Sequence, residues 1–202
     1  MEVPARRMNA RIMKEITTGT MSSDFDFCYD GAGEYGEAGC AYLRFTIKTG
    51  VYQNQTHVLR IKFSYGSNQV YTFPQDPPNV TFETPVFHPN IATGGSICLD
   101  VIKNKWSPMY GIETIFNSIM VLLECPNVDS PYNSEAARKY SQHLKKDTIE
   151  RYRNICTEYY RKKMSKNEHA EKLISIKEFD LPLLDRLQLF GVPKSKWPKE
   201  LL

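Results

Sequence analysis

At 202 residues, 41% hydrophobic and 24% charged, the chain has the apolar content to build a core without disulfides or metals, and it is not a disordered polymer. No apolar run reaches the roughly 18 residues of a membrane span. The N-terminal MEVPARRMNARIMKEI is too charged for a secretory signal, so a cytosolic or nuclear protein with no membrane partner is expected. Five cysteines, an odd number at wide spacing with no C-x-x-C pair, argue against a disulfide framework and against a zinc site. The net charge of +3 is unevenly spread. Residues 1–14 carry four basic groups and one acid, residues 15–137 six and thirteen, residues 138–177 twelve and five. Basic flanks attract nucleic acid or acidic proteins. Solvated helix faces are the plainer reading, because 40–63 lacks the aromatic and basic interleaving of a nucleic-acid-binding sheet. Nucleic acid is therefore not an expected partner.

In chain order, residues 4–17 read as a helix, with Met8, Ile12 and Ile16 on one face and Arg6, Arg7, Arg11 and Lys14 elsewhere. The Gly-, Ser- and Asp-rich stretch 18–39 is mostly loop with room for a short strand. CAYLRFTIK (40–48) and HVLRIKF (57–63) alternate, with Leu43, Phe45 and Ile47, then Leu59, Ile61 and Phe63, turned inward. That is the pattern of half-buried antiparallel strands, and NVTFE (79–83) follows as another. From 111 to 125 the period becomes helical: Ile112, Ile115, Phe116, Ile119, Leu122 and Leu123 form a broad apolar face that Pro126 closes. A helix capped by Asn133 comes next. Another has Asp147 and Glu150 at capping-box spacing and Ile149, Tyr152, Ile155 and Tyr159 inside. The final stretch from Ile176 holds three prolines and cannot be one helix. The layout is α+β: an N-terminal helix, a four-stranded antiparallel meander, an irregular segment, then C-terminal helices. The expected division is a core of residues 1–163 and an extension of residues 164–202, whose LISIKEFDLPLLDRLQLFGV is apolar enough to dock on the core or on a partner.

Residues 84–110 hold Pro85, Pro89, Gly94, Gly95 and Pro108 and few helix or strand signals. A long irregular stretch inside a compact domain is usually functional. Within it lies HPNIATGGSICLD (88–100), with Cys98 at its end. Three readings compete. Cys98 is a core filler under a Pro-punctuated turn, or a protease-type nucleophile with His88 as base, or a cysteine that exchanges acyl groups with an incoming thioester. The last needs exposure and a donor for the oxyanion, which the Asn90 amide supplies, with His88 holding the loop through its backbone. Cys28, Cys40, Cys125 and Cys156 read as structural thiols, and His57, His143 and His169 as surface residues.

The stretch resembles the active-site signature of the ubiquitin-conjugating enzymes. His88-Pro89-Asn90 precedes Cys98, with the His ten positions before it, and Trp106-Ser107-Pro108 places a Trp eight positions after it. PQDPPNVTF (74–82) resembles the family's Pro-Pro strand entry, and ECPNVDSPYNSEAARKY (124–140) its Pro-Asn crossover into a helix. The resemblance spans residues 8–163 in four motifs. It implies that Cys98 accepts ubiquitin or a ubiquitin-like protein from a ubiquitin-activating enzyme as a thioester, which a substrate lysine then attacks. Asn90 would stabilise the oxyanion or order the nearby loop, and His88 and Pro89 would be structural. No cofactor is implied, since no Gly-rich phosphate loop is present and ATP is spent upstream by the activating enzyme. Many relatives carry an Asp where this chain has Ser130; either the preceding Asp129 substitutes, or phosphate on Ser130 restores the anion.

The resemblance also implies where the activating enzyme and ubiquitin ligases dock. The first helix would contribute Arg7, Arg11 and Lys14. One loop would contribute Phe73, Pro74 and Gln75, and another Trp106, Ser107, Pro108 and Met109. Gln75 stands where many members have an aromatic, which points to a narrower ligase set. PQDPP and ETPVFHPN are similar to the branch that carries a ubiquitin-like modifier to cullin scaffolds, whereas Ser130 is similar to the branch active in DNA repair and chromatin. Ubiquitin is the expected modifier. The alternatives are a conjugating enzyme for a ubiquitin-like protein and a non-catalytic scaffold of the same fold.

Overall fold

The structure, a computed structural model, describes residues 10–31, 34, 39–66, 70–145, 148–190, 193–197 and 199. Helix α1 (Ala10–Thr20) leads into four strands, β1 (Asp26–Asp30), β2 (Cys40–Thr46), β3 (Thr56–Lys62) and β4 (Asn79–Phe82). They form an antiparallel sheet in the order β1-β2-β3-β4. A long connection with one 3₁₀ turn (Asp100–Ile102) crosses to α2 (Ile112–Glu124), followed by α3 (Ser134–Lys145), α4 (Ile149–Met164), α5 (Glu168–Ile174), a 3₁₀ turn (Lys177–Asp180) and α6 (Leu183–Leu189). The α+β layout is the expected one. The stretch expected to be mostly loop with room for a short strand holds β1, whose Phe27, Cys28 and Asp30 are buried. Helix α1 runs on to Thr20, three residues past its expected end. Its expected start, with Arg6, Arg7 and Met8, lies outside the described residues, as does Asp147. Asn133 caps α3 as expected, its Oδ1 accepting from the Ala136 amide at 3.0 Å.

Register explains the core. Phe27, Leu43, Leu59 and Phe82 pair across all four strands, and Ala41, Ile61 and Val80 pair beside them, so their side chains share one face. On that face α2 buries Ile112, Ile115, Phe116, Ile119 and Leu123, with the Phe116 ring 4.8 Å from Phe25 and 5.1 Å from Phe45. His57 pairs with Phe45 and therefore points inward too. Expected at the surface, it is fully buried: the strand's alternation includes position 57, and its Nδ1 is satisfied by Thr84 Oγ1 at 2.9 Å. Burial lowers its pKa to about 3. His143 is half-buried against Thr148, and His169 is exposed.

The other face of the sheet departs from a half-buried strand pattern. Cys28, Cys40, Tyr42 and Val58 occupy the alternate register, yet each is at most 1% exposed. The chain beyond Met164 covers them. Helix α5 packs on β3, the 177–180 turn on β1, and α6 on α1, burying Leu173, Ile176, Phe179, Leu187 and Phe190. Arg44 ties the layers together. It donates to Asp26 at 2.9 Å, to the Ile174 carbonyl at 3.0 Å and to Asp180 at 2.5 Å, with its guanidinium 4.8 Å from the Phe179 ring centroid. The extension is thus a third layer, and of its two expected docking partners it takes the core.

Candidate active site

The segment from Thr84 to Tyr110 is pinned by backbone rather than by regular structure. The Phe87 carbonyl accepts from Tyr52 Oη at 3.0 Å and Tyr152 Oη at 3.3 Å, with the Cys156 thiol at 3.6 Å. Gly95 at φ +85° carries the turn before Cys98, and a Cβ there would run into the Phe82 carbonyl. The same residue's carbonyl accepts from the Phe82 amide at 2.9 Å, which joins the segment to the end of β4. Only glycine fits.

His88 is buried, its Nδ1 accepting from the Asn90 amide at 2.9 Å and its Nε2 donating to the Leu122 carbonyl at 3.0 Å. Nδ1 accepts, so Nε2 carries the proton. Burial lowers its pKa to about 4. A neutral ring with both nitrogens engaged has no lone pair left for Cys98. Asn90, 1% exposed, exchanges two bonds with the backbone of Asn127: Nδ2 donates to its carbonyl at 2.6 Å, and Oδ1 accepts from its amide at 2.8 Å. That pair of bonds ties the Cys98 segment to the crossover at Asn127. The Asn90 carbonyl accepts the Cys98 amide at 2.8 Å. Cys98 itself is partly exposed.

The other cysteines differ. Cys28, Cys40 and Cys156 are buried, and burial pushes the Cys28 and Cys156 thiols up to about 12, so neither is a thiolate at neutral pH. Cys125, expected to be structural, is exposed at the C-cap of α2, just past its last helical residue, Glu124. Asp129 and Ser130 are both exposed on the crossover that Asn90 secures, with the Asp129 amide bonded to Asn127 Oδ1 at 3.0 Å. Past them, the Tyr132 and Asn133 amides both donate to the Pro89 carbonyl, at 2.8 and 2.9 Å.

The structure brings together the three segments expected to meet partner proteins. Arg11 Nη1 donates to the Pro108 carbonyl at 2.7 Å and Nη2 to that of Tyr110 at 2.6 Å, while Nε pairs with Glu15 at 2.6 Å. The Trp106 indole donates to the Pro74 carbonyl at 3.0 Å, and its ring lies 6.0 Å from Phe73. Phe73, expected to be a contact residue, is only 1% exposed; it sits beneath Arg11 and Trp106 and supports the surface from within. Arg11 is largely spent on bracing the 108–110 loop. Lys14, Gln75, Pro108 and Met109 are exposed, with Met109 at 85%, and Pro74, Trp106 and Ser107 are partly so. Arg7 lies outside the described residues. Sequence reasoning missed Glu15, a buried carboxylate that accepts the Ile112 amide at 2.8 Å and so caps α2. It also missed Asn127, which no periodicity marks.

An α+β fold carrying a partly exposed cysteine behind His-Pro-Asn belongs to a known class of protein. The family model described as "Ubiquitin-conjugating enzyme" matches residues 11–156, and the chain belongs to that family. It is 51% identical over 71 residues, 35% of this chain, to ubiquitin-conjugating enzyme E2 3 of Arabidopsis thaliana. It is 46% identical over 71 residues to ubiquitin-conjugating enzyme E2 2 of Debaryomyces hansenii. These matches span 47% and 42% of the two relatives' lengths.

Proposed function

We propose that Cys98 carries the C-terminal carboxyl of ubiquitin as a thioester and passes it to substrate lysines. The Cys98 thiolate attacks the thioester carbonyl presented by the activating enzyme and expels that enzyme's thiolate. A neutral lysine amine then attacks the new thioester, the Cys98 thiolate leaves, and the amine's extra proton goes to solvent. ATP is consumed by the activating enzyme, and this chain needs no cofactor. The observation that carries the reading is the partly exposed Cys98 thiol on a segment whose backbone is fixed by His88, Asn90 and Gly95. Preorganised positioning is what an exchange between already activated thioesters requires. Asp129 offers the incoming lysine a carboxylate where Ser130 has none. The surface of Lys14, Gln75, Pro108 and Met109 receives the activating enzyme and ligases.

Incubation with activating enzyme, ATP and ubiquitin should give a band one ubiquitin heavier, lost on reduction and absent in Cys98→Ala. Ubiquitin-like proteins run in parallel identify the modifier: loading by one of them and not by ubiquitin moves the assignment to that modifier. Loading by none leaves a scaffold of the same fold.

A further inference from the structure

Met109, 85% exposed, sits on a loop, residues 107–110, that has no helix or strand of its own. What fixes the loop comes from α1. Arg11 takes three successive carbonyls: Nη1 donates to Pro108 at 2.7 Å, and Nη2 donates to Tyr110 at 2.6 Å and reaches Met109 at 3.4 Å. The remaining guanidinium nitrogen, Nε, donates to Glu15 Oε1 at 2.6 Å. Glu15 Oε2 accepts the Ile112 amide at 2.8 Å. One carboxylate, in a residue only 5% exposed, therefore holds both the arginine that gathers the loop's carbonyls and the amide just beyond the loop. Gly111 makes room for it. A Cβ there would stand 2.6 Å from Oε2, and the carboxylate could retreat only by giving up its bonds. The Phe73 ring, 5.6 Å from the guanidinium carbon, closes the inner side.

We propose that Glu15, acting through Arg11, is a positioning residue for partner docking. It sets the shape of the 107–110 loop, and thereby the affinity of that surface for the activating enzyme, without taking part in the chemistry at Cys98. The proposal rests on the docking surface named under the proposed function and identifies the group that builds it. Hydrogen bonds between charged groups are stronger and more directional than neutral ones. A guanidinium released from its carboxylate regains rotamer freedom, and the three loop carbonyls lose a fixed partner. A loop already held in its bound shape costs less to dock. Glu15 is buried and has no surface to offer a partner, so any effect of its substitution on docking passes through the loop. The Cys98 segment hangs on other bonds, to Leu122, Asn127 and Phe82.

The test is the rate of thioester loading by activating enzyme, ATP and ubiquitin as the concentration of this protein is varied, each variant being assayed well below its unfolding transition. Glu15→Gln offers one oxygen where two donors wait, and should raise KM about tenfold with kcat unchanged. Gly111→Ala should raise KM in the same way, because it pushes the carboxylate off its bonds without removing a charge. Arg11→Met should raise KM at least as much, and adding Glu15→Gln to it should raise KM no further, since the two act as one unit. Hydrogen exchange read by mass spectrometry should be about tenfold faster across 107–112 in Glu15→Gln and unchanged across 88–98. An unmoved KM overturns the proposal, as do unaltered exchange rates or a fall in kcat at constant KM, which would mark a disturbance at Cys98. Normal loading of the parent with an unmoved KM in Glu15→Gln sinks this proposal alone. A parent that loads neither ubiquitin nor a ubiquitin-like protein sinks the proposed function, and the exchange rates, which need no modifier, then still decide whether Glu15 sets the loop.

Discussion

Two regions of this molecule lie outside its regular core, and they are held in opposite ways. The segment around Cys98 is fixed by specific polar bonds: His88 to Leu122 and Asn90, Asn90 to Asn127, and Gly95 to Phe82. The extension beyond Met164 is held by apolar side chains laid on the outer sheet face, with Arg44 as its main charged anchor. Polar bonds fix direction and leave the Cys98 thiol at the surface. Apolar burial supplies free energy and is indifferent to detail. The first region is built for positioning and the second for stability, and perturbing each should separate the two.

The largest effect is expected from ending the chain after Met164. That exposes Cys28, Cys40, Tyr42 and Val58 and removes the burial of Leu173, Ile176, Phe179, Leu187 and Phe190. A loss of at least about 5 kcal/mol follows, seen as a collapse of the thermal unfolding transition or as precipitation; an unchanged midpoint would remove the extension from the stability account. Acid comes next. His57 and His88 have folded pKa values of about 3 and about 4, both below the unfolded value near 6.5. The unfolded chain therefore binds more protons as pH falls, and this stability, fully present above about pH 6.5, is lost progressively toward pH 4. Urea unfolding at pH 5 against pH 7 should show a loss of about 3 kcal/mol, with a clearly smaller loss in His57→Gln measured against its own pH 7 value.

Gly95→Ala should cost about 2–3 kcal/mol, since it meets both a left-handed backbone and the Phe82 carbonyl. Asn90→Ala should cost about 2 kcal/mol by stranding the Asn127 amide and carbonyl, and it should slow discharge more than loading, because the crossover carrying Asp129 loosens. The smallest effect is on rate alone. Asp129→Asn should slow discharge to free lysine about threefold without moving the unfolding midpoint.

The sequence carried the two regions unequally. HPN, WSP and the crossover are legible because specific bonds demand specific residues at fixed spacing, so the segment that His88 and Asn90 hold in place stands out in the sequence. The extension was legible only as apolar content. Apolar packing tolerates many sequences, and nothing in LISIKEFDLPLLDRLQLFGV states which surface it covers. His57 was misplaced because a buried histidine with one hydroxyl partner looks, in sequence, like a surface one. Phe73 was misplaced for the opposite reason: motif position suggested contact, while its ring supports the residues that are exposed.

The central claim is that the Cys98 sulfur is the atom that carries the modifier. Intact-mass spectrometry of the protein after incubation with activating enzyme, ATP and ubiquitin, followed by peptide mapping without reductant, tests it directly. The account predicts one added ubiquitin, attached at Cys98 and released by thiol. An adduct mapping to Cys125, or no thiol-labile adduct with ubiquitin or any ubiquitin-like protein, would contradict it.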